Sequence, residues 1–116
     1  MTIEEFYAVT SGNYAEALKR MMKPDFVKRF TSKFDKDPSF NELMQNLDAG
    51  NTEVAFRAAH TLKGVSKNLA FTKLGDSASE LTEILRNGDL EKAKEYFPTV
   101  KEDYESIIKA LALVES

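Results

Sequence analysis

With 116 residues, 42% apolar and 30% charged, the chain is sized for one domain over 1–116 built on one core, and its balance excludes a disordered tail. It has no cysteine, which excludes disulfides and thiol nucleophiles, and its formal net charge of −3 argues against general nucleic-acid binding, which rests on a strongly basic surface. No stretch approaches the roughly 20 apolar residues of a membrane span, and the acidic start MTIEEFYAVT lacks the basic-then-apolar order of a signal peptide, so a cytoplasmic monomer without membrane contact is expected.

Apolar residues recur at spacings of three and four, as in Leu81, Ile84 and Leu85 or Tyr104, Ile107, Ile108 and Leu111, without strand-like alternation, so the fold reads as all-α. Thr2 followed by Glu5 is a capping-box pattern for a short first helix that ends near Ser11-Gly12. Asn13 can cap a second helix running to about Met22, and Pro24 fits the first turn of a third carrying Phe26, Val27, Phe30 and Phe34. Asp37-Pro38-Ser39 marks a joint, and a fourth helix with Phe40, Leu43, Met44 and Leu47 stops at Gly50. LDAGNTEVA at 47–55 and LRNGDLEKA at 85–93 then use the same punctuation. Each sets glycine just past one helix, Asn51 or Asp89 at the next N-cap, and a glutamate in the new first turn, where the helix dipole favours it. Between them lie a histidine-bearing helix, roughly 52–70, and another from about Thr72 to Arg86. The last stretch runs from Asp89 to about Val114, and Pro98 should kink or divide it into one long broken helix. Long amphipathic helices with short joints make an antiparallel up-down bundle.

The single histidine, His60, falls in the one basic segment the chain shows at first reading: from Val54 to Gly75 there is no acidic residue, while Arg57, Lys63, Lys67 and Lys73 occur. At about 100° per residue, Ala55, Ala58, Leu62, Val65, Ser66 and Leu69 form one stripe toward a core. His60 then lies about 160° from Leu62 and faces solvent, with Gly64 about 40° and Lys67 about 20° from it, and Arg57 and Lys63 each at about 60°. Glycine inside a helix costs about 1 kcal/mol against alanine, so Gly64 requires an offsetting use. A bare backbone one turn from an imidazole admits a bulky group or another protein's main chain. Neutral imidazole is nucleophilic near pH 7 and forms a labile N–P bond, and cations three and seven residues on could meet phosphoryl oxygens.

The run HTLKGVSKNLAF, from His60 to Phe71, resembles the signature of the histidine-containing phosphotransfer (HPt) family, H-x-L-K-G-x-[SA]-x-x-[LVM]-G. His60, Leu62, Lys63, Gly64, Ser66 and Leu69 match; Ala70 stands where many members have glycine. With AFRAAHTLKG after a GN joint and the later GDLEKA joint, the resemblance covers roughly residues 13–114. It implies a four-helix bundle, about 24–114, with additional short N-terminal helices over 1–22. It also implies a role for each residue of the site. His60 would be phosphorylated on Nε2, Lys63 and Lys67 would assist the phosphoryl group, Gly64 would give access, and Phe56 and Arg57 would help dock a partner.

The family's chemistry implies reversible exchange with the aspartate of a response-regulator receiver domain, with a hybrid histidine kinase as a possible further partner. Mg²⁺ is expected on the receiver, so no cofactor or metal is expected on this chain, which would be a phosphocarrier and not an enzyme. An initial methionine ahead of a capping box favours a free-standing protein over a domain of a sensor kinase. The rival reading is a non-phosphorylated helical interaction module using Phe26, Phe30 and Phe34, spacings more common in cores. A hydrolase or metal enzyme lacks its motifs here, since neither H-E-x-x-H nor a Gly-rich phosphate loop occurs.

Overall fold

In the computed structural model, which describes residues 1–115, each start and stop signal marks a helix boundary. Helix α1, Ile3–Val9, opens on a reciprocal cap: Thr2 Oγ1 accepts the Glu5 N–H at 3.1 Å and Glu5 Oε1 accepts the Thr2 N–H at 2.9 Å. Helix α2, Tyr14–Met21, opens on Asn13, whose Oδ1 accepts the Glu16 N–H at 3.0 Å, and Pro24 heads α3, Pro24–Thr31. Then follow α4, Ser39–Asp48; α5, Thr52–Asn68; α6, Thr72–Arg86; and α7, Leu90–Leu111. No strand occurs among the described residues.

Both glycine stops behave alike: Gly50 and Gly88 take φ of 75° and 76°, the left-handed turn that side chains resist. The N-caps after them differ. Asp89 accepts the Lys92 N–H at 3.1 Å, whereas Asn51 makes no side-chain cap and instead donates from Nδ2 to Asn46 Oδ1 at 3.1 Å. Two further expectations need correction. Phe34 lies outside α3, in a single 3-10 turn, Phe34–Lys36: Pro38 forces Asp37 into an extended conformation (ψ 128°), so the chain must leave the helix before it. Pro98 does not break α7, which continues from Leu90 to Leu111; Pro98 and Lys94 are both exposed, so water can solvate the Lys94 carbonyl that loses its donor.

Helix α4 packs on α5, α5 on α6, α6 on α7, and α7 returns to α4, closing an antiparallel up-down four-helix bundle in a molecule 40 Å in its longest dimension. Leu43, Leu62, Leu74, Leu81 and Val100 are fully buried between the helices, each stabilising by about 1.5–3 kcal/mol. Phe40 stacks on Tyr104 with 3.9 Å between centroids and 4° between planes, joining α4 to α7. Asp103 of α7 is buried and lies 3.7 Å from Lys73 Nζ of α6.

The short N-terminal helices sit over the α5–α6 turn. Phe71 meets Phe6 at 5.8 Å, Tyr7 at 5.9 Å and Phe34 at 5.0 Å. The buried Tyr7 hydroxyl donates to the Leu69 carbonyl at 2.6 Å and lies 3.0 Å from Thr31 Oγ1, so one group ties α1, α3 and the end of α5. Burial pushes the Tyr7 phenol up to about 12, against the opposing pull of its Thr31 hydrogen bond. Helix α5 ends in a double-bonded left-handed cap: Phe71 N–H reaches the Ser66 carbonyl at 2.8 Å, Ala70 N–H reaches that of Lys67 at 3.0 Å, and Ala70 takes φ 58°. No helix among the described residues is long and apolar enough to cross a membrane.

Candidate functional site

The register of α5 decides what it shows to solvent. Ala55, Ala58, Leu62, Ser66 and Leu69 are buried as the stripe requires. Val65, at one edge of it, is half-buried, and Ala59, at the opposite edge, is fully buried. The core therefore sits slightly toward the Ala59 side. His60 remains opposite it, exposed at mid-helix.

Around the imidazole the surface divides into a crowded side and a bare one. On the first, the Phe56 ring lies 6.2 Å from that of His60, and the Arg86 guanidinium of α6 sits over Phe56 at 4.9 Å. Phe56, Arg57, His60, Thr61 and Arg86 line an open hollow of about 400 Å³. Thr61 Oγ1 donates to the Arg57 carbonyl at 3.0 Å. On the bare side is Gly64, where an added Cβ would meet nothing within 4 Å. Nothing in this chain's own packing requires glycine there.

The lysines are placed differently from each other. Lys63 is half-buried and has no ion-pair partner among the described residues. Lys67 is exposed, and its stem lies over Gly75 of α6, where a Cβ would come 3.1 Å from Lys67 Cγ. Its carbonyl also accepts from Arg20 Nη1 at 2.5 Å, linking α5 to α2. Lys67 and Phe56 thus both lean onto α6, at opposite ends of the α5–α6 seam.

No ion pair or side-chain hydrogen bond engages the His60 imidazole among the described residues. Nor do three His, Cys, Asp or Glu side chains meet there in a group that could hold a metal ion. His60 thus presents an exposed imidazole that shares a hollow with Arg57 and Arg86, one helical turn from the bare backbone of Gly64.

Two features went unread in the sequence. Arg86 comes from a different helix, and only the packing of α6 on α5 brings it to Phe56. The other was visible by counting: residues 19–36 hold seven basic side chains and two acidic ones, a second basic segment. There Phe26 and Phe30 are 37% and 45% exposed, with Lys23 Nζ 5.6 Å and Lys33 Nζ 5.8 Å from their ring centroids, while Phe34 is buried. The three phenylalanines therefore do not act as one core face.

A family model described as the Hpt domain matches residues 35–110, from the 3-10 turn through nearly all of α7. No curated protein and no solved structure matches the chain.

Proposed function

The chain belongs to the Hpt domain family, which serves phosphotransfer in two-component systems, and from that premise we propose that His60 is its phosphorylated residue. In this reading the protein, a single domain over 1–116, relays the group reversibly between His60 and an aspartate of response-regulator receiver domains. The observation that carries it is the exposure of His60 at mid-helix beside Gly64, whose missing side chain serves no contact within the chain.

The Nε2 lone pair attacks phosphorus in line, the bond from phosphorus to the aspartyl oxygen breaks, and the carboxylate leaves with its electron pair. The Nδ1 proton stays on the ring or passes to water. Reversal frees Nε2 as the receiver's aspartate attacks. Lys63, with Lys67 further along the same face, offsets charge on the phosphoryl oxygens, and Gly64 lets the partner's backbone approach. Mg²⁺ bound by the receiver supplies the remaining charge compensation. The protein is a phosphocarrier in this scheme, cytoplasmic and monomeric, and a hybrid histidine kinase is a natural source of the group.

The test uses receiver domains phosphorylated with acetyl phosphate. Label should pass to the wild-type protein, be acid-labile and alkali-stable, and vanish in His60→Gln. A wild-type protein left unlabelled by a broad panel of receivers would overturn the reading. The rival interaction module, using Phe26 and Phe30, would bind its partner equally well with or without His60.

A further inference from the structure

Arg86 lies outside the signature, on a different helix, yet it lines the hollow that holds His60. Two contacts fix its guanidinium plane. One face lies over the Phe56 ring at 4.9 Å, and Nε donates to Glu83 Oε2 at 2.8 Å. No other side-chain hydrogen bond from Arg86 occurs among the described residues, and the side chain is 52% exposed, so both Nη groups stay available to an incoming molecule. Across the hollow stands Arg57. The acidic side chains facing Arg86 are Glu83, already bonded to it, and Glu53 in the adjoining hollow.

A guanidinium held in this way loses little freedom when it binds, and its fork fits carboxylates in a bidentate manner that an ammonium cannot copy. The donor in the proposed reaction carries its phosphoryl group on an aspartate beside a bound divalent cation, which one or two further carboxylates must hold, so the mouth of that site is acidic. Such a mouth meets a chain of net charge −3, and repulsion must be overcome locally.

We propose that Arg86, seated on Phe56, is a positioning and specificity residue for the transfer, binding carboxylates at the rim of the phosphorylated partner and setting that partner's aspartyl phosphate over His60. The inference rests on the phosphotransfer reading above. It assigns Arg86 to the protein partner and not to the phosphoryl group itself. Phe56 acts as the platform, so its effect is spent through Arg86.

Labelling by a receiver phosphorylated with acetyl phosphate is compared with labelling by phosphoramidate, a small donor that has no rim to recognise. In Arg86→Gln the ratio of receiver-donated to phosphoramidate-donated rate should fall about tenfold, chiefly as a higher KM for the receiver. The salt dependence of that KM should weaken as well. Phe56→Leu should act in the same sense, and the double variant should be no worse than Arg86→Gln alone. An unchanged ratio in Arg86→Gln overturns the proposal while leaving the relay intact, as does an equal slowing with both donors. Additive effects of the two substitutions remove Phe56 as the platform. A wild-type protein that no receiver labels fails the relay reading itself, and the inference falls with it.

Discussion

Midway along α5 and against its C-terminal end, two glycines stand in opposite surroundings. At Gly64 an added Cβ would touch nothing within 4 Å, whereas at Gly12, packed against the end of α5, it would lie 2.8 Å from Tyr7 Cδ2 and 3.1 Å from the Ala70 carbonyl oxygen. The second glycine is explained by contacts inside the molecule. The first has no internal contact that explains it, and in the proposed transfer its use is to admit the partner at His60. One helix thus carries an open, exposed face and an end packed tightly by its neighbours. Substitutions at the two places should separate stability from transfer.

The locked end should show the largest stability effects. Phe71→Ala removes the ring shared by Phe6, Tyr7 and Phe34, and a loss of about 3–5 kcal/mol is expected in urea unfolding. Tyr7→Phe leaves the buried Leu69 carbonyl without that donor and should cost about 1–3 kcal/mol. The same phenol should contribute to the loss of stability at alkaline pH. Its pKa is raised to about 12 from an ordinary value near 10, so its contribution is fully present below pH 10 and is lost as pH rises toward 12. Thermal melts between those values should therefore fall less steeply in Tyr7→Phe than in the wild type. A parallel fall in both would assign the alkaline loss to other groups, such as Tyr104, whose phenol burial also raises.

The open face should respond in the opposite sense. Gly64→Ala should stabilise the protein by about 1 kcal/mol, since nothing obstructs the new methyl and alanine favours the helix. Receiver-donated labelling should slow in the same variant. Gain of stability without any slowing would break the contrast between the two places. The smallest effect is at the junction. Ala70→Gly relieves a left-handed alanine and should add roughly 0.5–1 kcal/mol, read as a rise in Tm.

The legible parts of the molecule were those set by local rules. Thr2 and Glu5, Asn13, Pro24, Gly50 and Gly88 act on neighbours within a few residues, and each helix started or stopped where they said. The exposure of His60 followed from periodicity alone. What escaped depends on contacts far apart in sequence or on solvent access. Tyr7 meets Thr31 and Leu69 across 24 and 62 residues, and no pattern in the chain announces that meeting. Arg86 over Phe56 is of the same kind. Pro98 was tolerated because its face of α7 is wet, which the 3.6-residue period could have suggested. Ala70 is the instructive departure. The signature's usual glycine at that place now has a physical cause, a left-handed helix cap, which alanine here adopts at a cost.

Residues 1–34 lie outside the segment matched by the family model, yet Asn13 donates its N–H to the Ala70 carbonyl at 2.9 Å, Arg20 reaches that of Lys67, and Tyr7 that of Leu69. The last turn of the histidine helix is thus fastened from outside the bundle. In amide hydrogen exchange, Ser66 to Phe71 should open together with α1 and not with the remainder of α5, so the unit that unfolds cooperatively crosses the boundary that sequence similarity draws.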